Sequence, residues 1–257
     1  MKNDLQKMIE HEKTNWDKIF KAELNKNSKQ EYSSFWWRNY YEELINYMDK
    51  ILLQYDCKSV LEAGSGSGKA TILLKNVTQK TLIDISPEAL KYAQHLAKKF
   101  NSDVKYIEGN IFSMPFKNEK FDLVWSIGVV EHYNPKYIEM ALKEAVRVNN
   151  RSGIIAVGIP NLFTGPIIKA WLSKKIKYIH GYKLETEKFY KVSEIKNIIS
   201  SIANESGRKI EYIKTEYFGN PLIIETPEFI LKTLGKPVSR IFKKNKFLKL
   251  IICKFKL

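Results

Sequence analysis

A glycine-rich segment is the part of the sequence whose residue types and spacing most directly suggest chemistry. Residues 62–69 read Glu-Ala-Gly-Ser-Gly-Ser-Gly-Lys and follow the apolar pair Val60-Leu61. Glycines at the end of a strand let the backbone approach a ligand closely, and a helix that follows offers unpaired N–H groups. The segment therefore predicts a ligand-binding loop between the first strand of a sheet and a helix.

The spacing of these glycines discriminates between the ligand classes that use such loops. A phosphate-binding P-loop needs a glycine, four residues and then Gly-Lys-Ser/Thr, but Ala63 and Ala70 stand at the first-glycine and hydroxyl positions. A dinucleotide loop needs GxGxxG, and its third glycine would fall at Lys69 or Thr71. Both classes are disfavoured, and the pattern that remains is E-x-G-x-G-x-G.

An acidic residue follows the loop at the distance expected for a ribose-binding group. Asp84 closes the second predicted strand. A carboxylate at that place accepts hydrogen bonds from both ribose hydroxyls. Nicotinamide enzymes use an acid at the same position, so Asp84 indicates a ribose without choosing the cofactor.

Short motifs follow the loop in a fixed order. They are Glu108-Gly109-Asn110-Ile111, Met114-Pro115-Phe116, Phe121-Asp122-Leu123-Val124, Ser126-Ile127-Gly128-Val129-Val130-Glu131-His132, Glu144-Ala145-Val146-Arg147-Val148 and Ile159-Pro160-Asn161. Each motif is weak alone, but the ordered set resembles the class I S-adenosylmethionine-dependent methyltransferases, in the small-molecule, type 11-like branch. The resemblance runs from about residue 58 to 161 and continues loosely through a predicted helix at residues 193–206.

This resemblance implies S-adenosylmethionine as cofactor and places the glycine loop against its methionine and ribose parts. Asn110 stands where the family usually has an aspartate facing the adenine amine, and its side-chain carbonyl can still accept that hydrogen bond. The predicted cofactor-binding set is Arg38, Glu62, Gly64, Ser65, Gly66, Gly68, Asp84, Ile85, Asn110, Ile111, Ser126 and Ile127. No spacing of cysteines or histidines predicts a metal site.

His132, just after the fourth predicted strand, is the candidate catalytic residue. Methyl transfer from a sulfonium is an in-line displacement, so the protein must position the acceptor and remove the proton of a hydroxyl or amine. Histidine titrates near neutral pH and suits a general base. The alternatives are that His132 only lines the pocket or bonds its own loop. Glu131 is expected to orient His132 or a loop amide.

An aromatic segment precedes the first strand and carries a second set of candidates. Phe35–Tyr41 contains Trp36, Trp37, Arg38, Tyr40 and Tyr41. Arginine binds carboxylates bidentately, so Arg38 is a candidate partner for the carboxylate of the cofactor. The aromatic side chains are interpreted either as the lining of an acceptor site or, for most of them, as ordinary core of a helix packed on the sheet.

Alternating strand and helix patterns from residue 58 onward predict the scaffold that positions these residues. Runs at 58–63, 80–85, 104–108, 121–127 and 153–159 predict strands, and helices are predicted at 70–77, after Ser86-Pro87 and after Asn134-Pro135. Later in the chain we expect a helix at 193–206, capped by Ser193 and ended by Gly207. We also expect a strand at 209–218, a basic helix at 229–244 and a strand at 247–257. Ligands on such sheets bind beyond the carboxyl ends of the strands.

The fold class is therefore α/β: a Rossmann-like, doubly wound, mostly parallel seven-stranded sheet with helices on both faces. Residues 1–57 are expected to form an N-terminal helical and aromatic cap, and 58–257 the methyltransferase domain. A lid insertion is expected at about 162–192, with Trp171, Lys174, Lys175, Lys177, Tyr178 and Tyr182 facing the acceptor.

Charge and composition restrict the partners. The formal net charge is +15, and residues 229–257 hold nine Lys or Arg and no acid. Arg240, Lys243, Lys244, Lys246 and Lys249 interleave with apolar residues there, which suits a peripheral contact with an anionic membrane or, alternatively, RNA. A solvated edge is the third interpretation. No apolar run long enough to span a membrane appears, and the two cysteines, Cys57 and Cys253, suggest no disulfide framework.

From the sequence we expect a cytoplasmic S-adenosylmethionine-dependent methyltransferase that can lie peripherally at the inner face of the membrane. Its acceptor is expected to be a small molecule, with anionic and lipid- or glycan-linked molecules as the candidates. An RNA methyltransferase is the alternative within the same class. A non-catalytic cofactor-binding or interaction protein is the alternative from another class.

Overall fold

The computed structural model describes residues 2–25, 34–176 and 188–257. Its helices are α1 (Lys2–Asn25), α2 (Phe35–Gln54), α3 (Lys69–Ile72), α4 (Pro87–Lys99), α5 (Pro135–Val148), α6 (Gly165–Lys175), α7 (Val192–Glu205) and α8 (Glu228–Ile241), with single 3₁₀ turns at Val130–His132 and Lys243–Asn245. Its strands are β1 (Ser59–Ala63), β2 (Gln79–Asp84), β3 (Lys105–Glu108), β4 (Phe121–Ile127), β5 (Asn149–Pro160), β6 (Lys209–Phe218) and β7 (Leu248–Lys256).

The seven strands form one sheet in the order β3-β2-β1-β4-β5-β7-β6. The first five strands of this order pair in parallel, whereas β7 is inserted antiparallel between β5 and β6. The predicted mostly parallel, seven-stranded, Rossmann-like sheet is confirmed. Strand order reverses between β1 and β4, and this is the place where the carboxyl ends of a doubly wound sheet open a crevice for ligands.

Helices cover both faces of the sheet. Successive strand residues point to opposite faces, so Leu61 packs in the cluster that includes α5 and α7, whereas Val60 packs in the cluster that includes α2, α3 and α8. The inner strands β1, β4, β5 and β7 are therefore mostly buried on both sides, whereas the edge strands β3 and β6 are only partly buried.

Helix α1 crosses the carboxyl-terminal edge of the sheet. Leu5, Met8 and Ile9 near its start pack on the cluster that contains α5, while Phe20 and Leu24 near its end pack on the cluster around α4. One helix that contacts the packing layers on both faces must run over the strand ends. This places α1 above the crevice.

The helix ends test three local expectations. Two of them need correction and one is confirmed. The helix predicted at 70–77 ends at Ile72, because the N–H groups of Lys75 and Asn76 donate to the buried carboxylate of Asp49 instead of continuing the helix. The predicted cap Ser193 is wrong: α7 begins one residue earlier, after Lys191, whose N–H donates to Glu194 Oε2 at 2.7 Å. Ser86 is confirmed as the cap of α4, since its Oγ accepts from the N–H of Ala89 at 3.0 Å.

Both cysteines are buried free thiols. Within the described ranges, no group of three or more histidine, cysteine, aspartate or glutamate side chains is placed to hold a metal ion. None of the helices in those ranges is long and apolar enough to cross a membrane.

Candidate functional site

A cavity of about 230 Å³ opens at the carboxyl ends of β1, β2 and β4, under α1. The residues from the predicted set that line it are Gly64, Ser65, Gly66, Asp84, Ile85, Asn110, Ile111, Ile127 and His132. The structure thus brings together, from four separate stretches of the chain, most of the residues expected to contact the cofactor. We call this space the glycine-loop cavity.

The glycines of the loop are required by its backbone and its neighbours. Gly64, Gly66 and Gly68 all have positive φ, at 69°, 51° and 63°, a region that residues with a side chain rarely adopt. A Cβ on Gly64 would lie 2.9 Å from Val129 Cγ1, and one on Gly68 only 2.3 Å from Leu82 Cδ1. The loop therefore holds its shape only without side chains at these positions.

Asp84 joins the end of β2 to the glycine loop. Its side chain is 7% exposed, and Oδ2 accepts a hydrogen bond from the backbone N–H of Gly66 at 2.7 Å while Oδ1 accepts from that of Ser86 at 2.8 Å. Burial raises the pKa of Asp84, and these backbone hydrogen bonds oppose that rise. A carboxylate so placed can hold the loop and accept from a ligand hydroxyl through its remaining lone pairs.

Asn110 uses its side-chain oxygen within its own loop. Oδ1 accepts from the backbone N–H of Phe112 at 3.0 Å, while the residue lines the glycine-loop cavity. A carbonyl oxygen has two lone pairs, so this bond leaves one acceptor position. The expected hydrogen bond from an adenine amine stays a prediction.

Three predicted cofactor residues lie beneath the loop rather than at the cavity. Glu62 Oε2 accepts from the N–H of Thr71 at 3.2 Å, and burial raises the pKa of the Glu62 carboxyl to about 7. Ser126 Oγ donates to the carbonyl of Ala63 at 2.8 Å, and Gly68 packs on β2. The structure assigns Glu62, Gly68 and Ser126 the role of supporting the loop, because their neighbours are backbone and core.

Arg38 lies outside the lining of the glycine-loop cavity. Its guanidinium lies 3.7 Å from the carboxylate of Glu228 on α8, and the residue lines a separate cavity between α2 and α8. Helix α2 packs on the face of the sheet and presents Arg38 to α8, away from the residues that line the glycine-loop cavity. A contact between Arg38 and the cofactor carboxylate stays a prediction.

Helix α1 supplies cavity residues that the sequence reasoning did not select. Trp16 and Phe20 both line the glycine-loop cavity, and Phe20 Cζ would lie 3.2 Å from a Cβ on Gly66. The helix is held in place by Ser86 Oγ, which donates to Asp17 Oδ1 at 2.6 Å. The spacing of Trp16 and Phe20, four residues apart on one helix face, was the available signal.

A second cavity of about 400 Å³ adjoins the first, and Trp16, Gly128 and His132 line both. Its further lining is mainly apolar: Trp37, Pro160, Pro166, Ile167, Ala170, Ile224 and Phe247. The polar lining residues are Glu131, His132, Lys169 and Glu225. We call it the aromatic cavity, and its position next to the loop makes it the place for a second ligand.

His132 stands at the junction of the two cavities. It ends the 3₁₀ turn Val130–His132 after β4, and the ring of Trp16 meets it edge-on with ring centroids 5.5 Å apart. Its neighbour Glu131 is 4% exposed, and the Glu131 carbonyl accepts from the N–H of Lys188 at 2.7 Å. This arrangement lets His132 reach a group in either cavity.

The aromatic segment and the lid are divided between core and cavity. Trp36 and Tyr40 are buried in the core, whereas Trp37 lines the aromatic cavity. Helix α6 forms one wall of that cavity with Ile167 and Ala170, while Trp171 is 48% exposed. Lys177, Tyr178 and Tyr182 lie outside the described residues.

Comparison with known proteins identifies a domain within the chain. Residues 61–157 match a family model described as a methyltransferase domain. This chain carries an S-adenosylmethionine-dependent methyltransferase domain. The matched range begins in β1, contains the glycine loop, Asp84, Asn110 and His132, and ends in β5.

Relatives of this methyltransferase extend the comparison. An uncharacterized protein of Methanocaldococcus jannaschii is 29% identical over 82% of this chain and 89% of its own length. Ajmaline N-methyltransferase of Rauvolfia serpentina is 37% identical, but only over 35% of this chain and 32% of that enzyme. The chain thus matches about a third of that enzyme's length.

Among solved structures, magnesium protoporphyrin IX methyltransferase from Synechocystis PCC 6803, with bound S-adenosylhomocysteine, is similar with a TM-score of 0.61. The two share 12% identity, and the match covers 96% of this chain and 99% of that one. At this identity the likeness shows the fold. The cofactor of the methyltransferase domain is S-adenosylmethionine, and the glycine-loop cavity has the backbone approach and the acidic strand end that its ribose and methionine parts need.

Proposed function

We propose that this methyltransferase transfers a methyl group to a small-molecule acceptor bound in the aromatic cavity. One observation carries the proposal: Trp16, Gly128 and His132 line both the glycine-loop cavity and the aromatic cavity. Two ligands in adjoining cavities can meet at that junction. Holding them together converts a bimolecular displacement into an effectively unimolecular step.

The cofactor, when bound, supplies an activated methyl group on a sulfonium. The residues of this chain supply position and proton transfer. Gly64 and Gly66 allow close backbone approach, Asp84 holds the loop and accepts from the ribose, and His132 takes the proton from an acceptor hydroxyl or amine. Apolar side chains around the junction exclude water from the reacting atoms.

The lining of the aromatic cavity favours an acceptor with an apolar body, such as a lipid-linked one. Its walls are built largely from tryptophan, phenylalanine and aliphatic side chains. Among the lining residues that the structure describes, Lys169 is ion-paired with Glu225 and Glu131 is acidic. A phosphate-rich polymer would find no concentration of positive charge in this lining, so RNA is the weaker alternative. The same lining gives little support for a strongly anionic acceptor.

The test is incubation with methyl-labelled S-adenosylmethionine and an extract of the host. The extract is then separated into organic-soluble, small aqueous, protein and nucleic-acid fractions. Label in the organic or small aqueous fraction is expected. Label confined to RNA would contradict the proposal and support the alternative acceptor.

A parallel binding measurement separates the enzyme from a non-catalytic binding protein. Titration with S-adenosylhomocysteine measures occupancy of the glycine-loop cavity without chemistry. Binding with no label in any fraction would identify a cofactor-binding protein that transfers nothing. The matched control is the Gly64→Val variant, which should bind no S-adenosylhomocysteine because its side chain would collide with Val129.

A further inference from the structure

An exposed apolar surface lies on α6, α8 and the turns that join them to the sheet. Its side chains are between 48% and 75% exposed. They are Phe163, Ile168, Trp171, Leu234, Ile241 and Phe242. Large apolar side chains grouped on one part of a surface mark an interaction site more often than isolated ones do. We call this group the apolar rim.

Helix α8 is only partly used by the core. Leu231 and Gly235, one turn apart, are its buried residues, so they mark the side that faces the protein. On an α-helix, Leu234 and Ile241 are two turns apart and project from one flank. Lys236 and Arg240 lie one turn apart on another side. The helix is thus amphipathic, but part of its apolar stripe faces outward.

Helix α6 is fixed beside the segments that flank α8. The N–H of Gly165 donates to the carbonyl of Pro221 at 2.7 Å, and Lys169 pairs with Glu225. After α8 in the chain, Asn245 Nδ2 donates to the carbonyl of Phe163 at 3.2 Å. These bonds fix α6 and Phe163 beside the segments that precede and follow α8.

Basic side chains accompany the rim, but fewer of them are exposed than the sequence suggested. Lys246 forms an ion pair with Glu43, and burial lowers the pKa of Lys249 on β7. Lys246 is thus tied to α2 and Lys249 is partly buried in the sheet, so neither is counted among the cations of the rim. Lys232 is ion-paired with Glu228 on its own helix. The cations that remain exposed on α8 and its following turn are Lys236, Arg240, Lys243 and Lys244.

We propose that the apolar rim and the cations of α8 dock on a lipid bilayer that carries anionic headgroups. Interfacial helices bind in this way, with apolar side chains at the level of the acyl boundary and lysines on the headgroup phosphates. Each basic residue near an anionic surface strengthens the attachment. RNA offers no counterpart for exposed leucine and isoleucine side chains, so the rim favours lipid over nucleic acid.

Docking of α6 has a consequence for the aromatic cavity. Ile167 and Ala170 on the inner side of α6 line that cavity, while Ile168 and Trp171 on its outer side belong to the rim. The bilayer would therefore lie one helix away from the proposed acceptor site, where an apolar acceptor dissolved in the membrane is concentrated. This consequence rests on the proposed function, but the docking itself does not.

The experiment is flotation of the full chain with vesicles of phosphatidylcholine alone and of phosphatidylcholine mixed with phosphatidylglycerol. The apolar variant is Leu234→Ser/Ile241→Ser/Phe242→Ser, and the charge variant is Lys236→Gln/Arg240→Gln/Lys243→Gln. The matched control, Lys50→Gln/Lys98→Gln/Lys136→Gln, removes the same charge from exposed positions on α2, α4 and α5. Titration with S-adenosylhomocysteine verifies that each variant is folded.

The expected result is flotation with the phosphatidylglycerol vesicles alone, weakened by salt. Each rim variant should lower the partition coefficient by about tenfold or more, and the control variant by much less. Equal flotation with neutral vesicles, or an apolar variant that floats like the wild type, would overturn the proposal. So would RNA binding that only the charge variant weakens. Flotation needs neither acceptor nor cofactor, so docking and methyl transfer can fail independently.

Discussion

The carboxylate of Asp84 accepts a hydrogen bond from the backbone N–H of Gly66 at 2.7 Å. This bond links the ends of the first two strands of the chain, which lie side by side in the sheet. The residue expected to hold the ribose therefore also sets the shape of the loop that approaches it. Changes at Asp84 should act on both functions together.

Replacement of Asp84 by alanine should weaken cofactor binding. The variant loses a charge-assisted hydrogen bond to Gly66, which is worth about 1.5–3 kcal/mol, so the dissociation constant for S-adenosylhomocysteine should rise by about tenfold to a hundredfold. Titration calorimetry measures this change. Asp56→Ala is the control, because Asp56 is an exposed carboxylate whose described ion pair is with Lys58, away from the glycine loop. Equal affinities of Asp84→Ala and wild type would refute the role.

Glycine-to-alanine replacements at Gly68 and Gly207 separate backbone strain from packing. Both residues have φ near +63°, and an L-residue there costs about 1–2 kcal/mol. A Cβ on Gly207 meets nothing within 4 Å, whereas one on Gly68 lies 2.3 Å from the buried Leu82. Urea denaturation should show Gly68→Ala to be less stable than Gly207→Ala by about a further 1–3 kcal/mol. Equal losses would mean that the loop relaxes freely away from Leu82.

Glu62 should make the free energy of unfolding fall as pH rises. Burial raises its pKa from 4.5 to about 7, so below the unfolded value the carboxyl is neutral in both states. Between pH 4.5 and about 7 the Glu62 carboxyl is ionised in the unfolded state but still protonated in the folded state. The free energy of unfolding therefore falls with rising pH until the folded-state pKa is passed. Glu62→Gln should remove about 3 kcal/mol of this decline. Denaturation of both proteins across that pH range checks it. Asp84, whose pKa is also raised, is present in both proteins, and its charge contributes to the raised pKa of Glu62.

His132→Ala should reduce methyl transfer without a comparable loss of cofactor affinity. A positioned general base contributes about 10²- to 10⁴-fold to the rate, while the glycine loop and Asp84 are untouched. The measurement is the rate of label incorporation into the acceptor fraction, beside calorimetry with S-adenosylhomocysteine. His95→Ala, an exposed position on α4, is the matched control. Unchanged incorporation would leave His132 as a lining residue only.

Trp16→Ala should impair both cavities, because Trp16 lines both of them. Loss of this aromatic wall and of its contact with His132 should weaken S-adenosylhomocysteine binding by about five- to tenfold. Trp171→Ala removes an equal side chain from the exposed side of α6 and should leave binding in solution unchanged. Calorimetry on both variants tests whether α1 is part of the site. Identical affinities would show that α1 covers the loop without contributing to it.

Sequence patterns within single segments were enough to predict the strands and most of the helices. Apolar runs, the cap at Ser86 and the prolines at first helical positions depend on neighbours in sequence, and the strand at 121–127 begins and ends as predicted. The same rules failed at α3, where Asp49, distant in sequence, captures the backbone of residues 75 and 76. They also could not show that Glu62 and Ser126 face the underside of the loop.

The sequence by itself determined the family resemblance, the cofactor and the sheet, because glycine spacing and strand-end polar residues are local signals of a shared fold. Only the tertiary structure decided which residues reach the cavities. It placed Trp16 and Phe20 over the loop, took Arg38 to Glu228, and set His132 between two cavities. Such placements arise from packing between segments far apart in the chain. Periodicity within one segment shows which side chains share a face, as for Trp16 and Phe20, but not what that face contacts.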